Sequence, residues 1–100
     1  MIGLDTIRIT KKEGSNIDLS NVKTLLEEKL KTQKSSKICV GWYDKEREEV
    51  KFVLKSPISL DKIHKILHDF QLARIKINEF AWKENKTGPI RRGTMDITVS

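Results

Sequence analysis

The stretch Lys37-Ile38-Cys39-Val40-Gly41-Trp42-Tyr43-Asp44-Lys45-Glu46-Arg47-Glu48-Glu49-Val50-Lys51-Phe52-Val53-Leu54 decides the fold. Ile38, Val40 and Trp42 alternate with Cys39, Gly41 and Tyr43. After the charged run Asp44 to Glu49, the apolar positions Val50, Phe52 and Leu54 resume the alternation. Two period-two runs joined by a solvated turn predict an antiparallel hairpin. With apolar residues taken as inward, Ile38, Val40 and Trp42 join Val50, Phe52 and Leu54 in the core, while Cys39, Gly41 and Tyr43 face outward.

Toward the N-terminus, Leu19, Val22, Leu25, Leu26 and Leu30 fall at helical spacing and form one buried stripe, fading near Thr32. Asp18 is placed to cap this helix, with Ile17 stapled against Val22. A polar turn, Lys11 to Asn16, separates it from Thr6-Ile7-Arg8-Ile9-Thr10, a strand with Ile7 and Ile9 on one face.

Toward the C-terminus, Pro57 is read as ending the third strand and Ser59 as capping a second helix with the stripe Leu60, Ile63, Ile66, Leu67 and Phe70. Arg74 to Trp82 alternates again, with Ile75 and Ile77 opposite Arg74, Lys76, Asn78, Phe80 and Trp82. Lys83 to Gly93, with two glycines and a proline, reads as a loop, and Met95 to Val99 as a fifth strand on the sheet edge.

The order β-α-β-β-α-β implies an α+β fold, a two-layer ferredoxin-like sandwich with both helices on one face of the sheet and the fifth strand at an edge. Residues 1–100 then form a single domain. With 37% hydrophobic and 34% charged residues the chain has the makings of one core, which argues against a disordered tail. No apolar run reaches membrane-spanning length, and Met1-Ile2-Gly3-Leu4-Asp5 lacks a signal-peptide layout. The single cysteine, Cys39, allows neither an internal disulfide nor a Cys-based zinc site. The expectation is a soluble cytoplasmic protein with no membrane partner.

The charge carries the functional reading. Twenty Lys+Arg against fourteen Asp+Glu leave +6, and the pI is near 9.6. The expected topology gathers Lys29, Lys31, Lys34, Lys37, Lys55, Lys83, Lys86, Arg91 and Arg92 at one end. Nine cations against the single acid Glu84 give +8 there. At the opposite hairpin four acids outweigh Lys45 and Arg47 to give −2. A concentrated positive field attracts polyanions. Phosphates are expected at Lys34, Lys37, Lys83, Lys86, Arg91 and Arg92, and bases at Phe80, Trp82 and Tyr43 on the sheet face away from the helices.

His64 and His68 share the spacing of a metal pair but lack third and fourth ligands, so they read as boundary residues. The loop from Asn85 to Gly93 does not match a phosphate-binding P-loop. With no paired carboxylates, Ser-His-Asp order or glycine-rich nucleotide loop, the expectation is a non-enzymatic nucleic-acid-binding domain without cofactor. RNA or a single strand is favoured, since neither helix is basic along its exposed face. The alternative is a protein-interaction module or homodimer, using the open sheet face or an edge strand to pair with a second copy or an acidic partner.

Overall fold

Period-two and helical stripes produce seven elements: β1 (Leu4–Lys11), α1 (Leu19–Lys31), β2 (Cys39–Asp44), β3 (Glu49–Ile58), α2 (Leu60–Leu72), β4 (Ile77–Asn85) and β5 (Arg92–Val99). The structure, a computed structural model, describes residues 4–31, 39–85 and 92–100.

The α1 start follows the sequence. Asp18 Oδ1 accepts hydrogen bonds from the Ser20 hydroxyl at 2.7 Å and the Ser20 amide at 3.0 Å. The Asp18 carbonyl accepts from the Asn21 and Val22 amides. The Ser20 hydroxyl above all, then its amide, holds the Asp18 carboxyl below the usual aspartate range. α1 buries Leu19, Val22, Leu26 and Leu30. Ile17 and Val22 line the same cleft at the helix start.

At α2, Ser59 occupies the N-cap position but its side chain makes no capping hydrogen bond. This helix buries Ile63, Ile66 and Phe70. It ends with Arg74 in a left-handed conformation, φ 62°. There the Arg74 amide donates to the Gln71 carbonyl and the Ile75 amide to the Phe70 carbonyl, each at 2.9 Å. That paired pattern closes a helix C-terminus, usually around glycine. Arg74 and Ile75, expected at the start of the fourth strand, therefore belong to the helix stop.

The five strands form one mixed sheet in the order β2-β3-β1-β5-β4, with β1 and β5 parallel and every other pair antiparallel. The fifth strand is thus interior and β4 takes the edge. Met95, Ile97 and Val99 are at most 2% exposed, a burial that a central strand under two helices provides. The third strand also differs from its expected end: it runs through Pro57 to Ile58. Its register against β1 shifts between Leu4↔Ile58 and Thr6↔Val53, and such an irregularity accommodates a residue that cannot donate to the ladder. The segment read as the loop from Lys83 to Gly93 contributes its first three residues to β4 and its last two to β5.

One apolar cluster joins both helices to one sheet face, through Ile7, Ile9, Val50, Phe52, Leu54, Met95, Ile97 and Val99. Among the described residues no helix is long and apolar enough to cross a membrane.

Hairpin register reverses the expected faces of β2. Asp44 pairs with Glu49, leaving four turn residues, Lys45 to Glu48. Asp44 Oδ1 accepts from the Glu46 and Arg47 amides at 3.1 Å, and Glu48 adopts φ 50°. With four residues in the turn, Tyr43 meets Val50, Trp42 meets Lys51 and Gly41 meets Phe52. Since Val50 and Phe52 are fully buried, Gly41 and Tyr43 lie on the helix side, and Val40 and Trp42 lie outside. Phe52 explains why position 41 lacks a side chain: a Cβ there would sit 2.6 Å from Phe52 Cδ1 and closer still to Cε1.

Gly41→Ala should therefore destabilise the domain by about 1–3 kcal/mol, the overpacking range, although glycine-to-alanine within a strand ordinarily stabilises. Denaturant unfolding of Gly41→Ala, Phe52→Leu and the double variant should show less than additive loss. At Asp18, a depressed folded pKa means its contribution is present above the unfolded value, about 3.9, and lost as pH falls through the folded value. Asp18→Ala should lower the melting temperature at pH 7, and the difference from the parent should shrink below about pH 4.

Candidate nucleic-acid interface

The register that buries Phe52 also assembles the opposite face. Across it, one row of side chains reads Trp42 (β2), Lys51 (β3), Arg8 (β1), Asp96 (β5) and Ala81 (β4). A neighbouring row reads Val40, Val53, Thr6, Thr94 and Lys83. On the other flank, toward the hairpin, lie Asp44, Glu49, Thr10, Thr98 and Glu79. The face is therefore graded: cations and apolar groups, with the threonines Thr6 and Thr94 and one carboxylate, Asp96, occupy two rows, and three carboxylates occupy the row nearest the turn.

Trp42 is 43% exposed, and Lys51 Nζ stands 5.8 Å from its ring centroid, within cation–π range. Val40 and Val53 are exposed beside it. Arg8 Nε donates to Asp96 Oδ1 at 2.7 Å, a hydrogen bond that raises the Arg8 pKa further above its already high ordinary value. The pair is partly exposed, so it contributes on the order of 0.2–1 kcal/mol to stability. Thr6, Arg8, Lys51, Lys83, Thr94 and Asp96 line a depression of about 320 Å³ in the middle of this face.

Of the expected base-contacting residues, none lies on this face. Tyr43 sits on the helix side of the β2 edge, half-exposed. Phe80 and Trp82 are moved by a bulge. Ile77 pairs with Val99 and Glu79 with Thr98, so Asn78 is an extra residue that reverses the alternation beyond it. Phe80 then faces Ile97 and Trp82 faces Met95, both on the helix side. The Phe80 ring lies 6.3 Å from that of His64. Trp82 packs against the core, and its indole N–H has no hydrogen-bond partner among the described residues. The aromatic on the open face is Trp42, which apolar alternation assigned to the core. The length of the charged turn was the signal that could have revealed it.

Of the expected phosphate-contacting residues, Lys83 lines the depression. Arg92 is exposed on β5, with Nη1 3.7 Å from Asp5 Oδ2. Lys34, Lys37, Lys86 and Arg91 lie outside the described residues. The pairing does bring the start of β2, the end of β3, the end of β4 and the start of β5 to one end of the sheet. The opposite end is less acidic than expected. β1 finishes there and β4 begins there, so Lys11, Lys12, Arg74 and Lys76 join the hairpin, and Lys11 Nζ pairs with Glu48 Oε1 at 3.1 Å. His64 and His68 are both exposed on α2. Among the described residues no three His, Cys, Asp or Glu side chains come together as a metal site.

A scan against protein-family models, a search of curated proteins and a search of solved structures each return no match to this chain.

The exchange of roles between the two tryptophans is directly measurable. Trp82→Phe should leave emission from Trp42 that acrylamide quenches readily. Trp42→Phe should leave emission that is blue-shifted and protected. The reverse assignment would show that the β2 register is wrong.

Proposed function

We propose that this chain is a small non-enzymatic domain that binds single-stranded nucleic acid, RNA or DNA, across its open sheet face. In this reading the fold is a ferredoxin-like sandwich with a strand laid between β1 and β4, and its site of action is the cytoplasm. The observation that carries the proposal is the run of Trp42, Lys51 and Arg8 on three adjacent strands with Lys83 beside them. An exposed aromatic offers a stacking platform to a base, and neighbouring cations meet the phosphates on either side of it. Strands lie roughly 4.8 Å apart, so the run from Trp42 to Arg8 covers about 10 Å. Arg92, exposed on β5, would extend the phosphate track.

A duplex groove fits less well. The helices lie on the far side of the sheet, and their charged residues mix signs, half-buried Lys23 and Glu27 with exposed Glu28 on α1, and exposed Asp61 with Lys65 on α2. A second reading, pairing of the β2 edge with another protein chain, is favoured by the exposed Val40, Trp42 and Val53 side by side. The +6 charge works against self-association and for a polyanion, so the nucleic-acid reading is preferred.

Fluorescence polarisation with labelled RNA and DNA single strands at two salt concentrations tests it. Binding should weaken steeply with salt. Trp42→Ala should weaken it by roughly 5- to 150-fold, the worth of one stacked base. Lys51→Ala and Lys83→Ala should each lower the log–log salt slope by about 0.7. No binding at low salt, with a stable dimer seen by light scattering instead, would replace this reading with the second one.

A further inference from the structure

We propose that Asp96 makes the central depression a pocket for a nucleobase and keeps phosphate out of it, an inference that rests on the single-strand reading. The depression would otherwise be a plain phosphate cradle. Arg8, Lys51 and Lys83 supply three positive charges, and Thr6 and Thr94 supply hydroxyl donors. Asp96 is the one carboxylate among these lining residues, and it is held within the cluster by the 2.7 Å hydrogen bond from Arg8 Nε.

Asp96 occupies the middle of β5 between Arg8 and Ala81, with its side chain 26% exposed. A carboxylate offers about four acceptor positions, and the Arg8 bond occupies one. A phosphodiester carries no donor with which to use the others and is repelled by the charge. Every base does carry such a donor on its pairing edge: an amino group on adenine or cytosine, ring and amino N–H on guanine, ring N–H on uracil or thymine. Arg8 has four further N–H donors, and with the two lysines it can meet a base carbonyl or the phosphate at the rim. Trp42 lies in the same row, two strands from Arg8. One base stacked on Trp42 and another in the depression, with their shared phosphate over Lys51, would use every charged group in this row.

The test compares a labelled oligonucleotide with an abasic strand of equal length and charge. The parent protein should prefer the base-bearing strand by about tenfold or more. Asp96→Asn, which retains an acceptor for Arg8, should tighten the abasic strand by about fivefold, the factor two unit charges 4 Å apart in water are worth. It should tighten the base-bearing strand less, so the preference shrinks. Glu79→Gln removes a charge from the same face away from the depression and should leave the preference intact. If Asp96→Asn does not fold, Asp96→Ser serves the same comparison.

Because stacking on Trp42 also favours bases, the proposal is overturned if the preference is undiminished in the Asp96 variant, if both strands tighten equally, or if Glu79→Gln has the same effect. Parent protein that binds both strands equally would overturn the pocket and the Trp42 stacking together, leaving phosphate tracking in place. Parent protein that binds neither would overturn the single-strand reading itself.

Discussion

The pairing of β2 with β3 controls what each side of the sheet presents. Four residues separate Asp44 from Glu49 in the turn. That number, combined with the inward direction of Val50 and Phe52, determines which alternate residues of β2 face the helices. A slip of one residue would exchange the two faces along the whole strand. Trp42 would then enter the core and Gly41 would open onto solvent. The ring of Phe52 reinforces the register because it fills the space above Gly41, and only glycine leaves that space. A packing contact on the buried side thus places an aromatic residue on the exposed side.

The position of β5 has a comparable effect on the electrostatics. Lying between β1 and β4, it brings Asp96 level with Arg8 and Thr98 level with Thr10. An edge position would have left Arg8 without its carboxylate neighbour and would have put β4 beside β1. The open face owes its grading, from cations and apolar groups to carboxylates near the turn, to this strand order as much as to composition.

Much of the architecture was legible from local patterns. The helical stripes survive with Leu19, Val22, Leu26, Leu30, Ile63, Ile66 and Phe70 buried and Leu25, Leu60 and Leu67 partly buried at their margins, because a helix face depends on spacing within one segment. Asp18 was legible for the same reason, since a cap bonds to its own helix. The faces of β2 and of the later part of β4 were not. In β2 the parity depends on the turn as well as the strand, and the apolar Val40 and Trp42 suggested the opposite answer. In β4 one additional residue, Asn78, reverses Phe80 and Trp82, and nothing in the alternation announces a bulge. The candidate site was therefore legible as chemistry, a basic surface carrying an aromatic, while the residue providing the aromatic was misassigned.

The parallel pairing of β1 with β5 bears on how the molecule reaches its native state. Arg8 and Asp96 are 88 residues apart in sequence and adjacent in the sheet centre. Pairing so remote in sequence must close a long loop before its contacts form, and topologies rich in such contacts fold slowly. On the ribosome, β1, α1, β2 and β3 emerge first, yet the inner edge of β1 waits for β5. Until then that edge is an exposed template for other strands. The native sheet is therefore completed only after β4, by the strand that also delivers Asp96 to the centre of the open face.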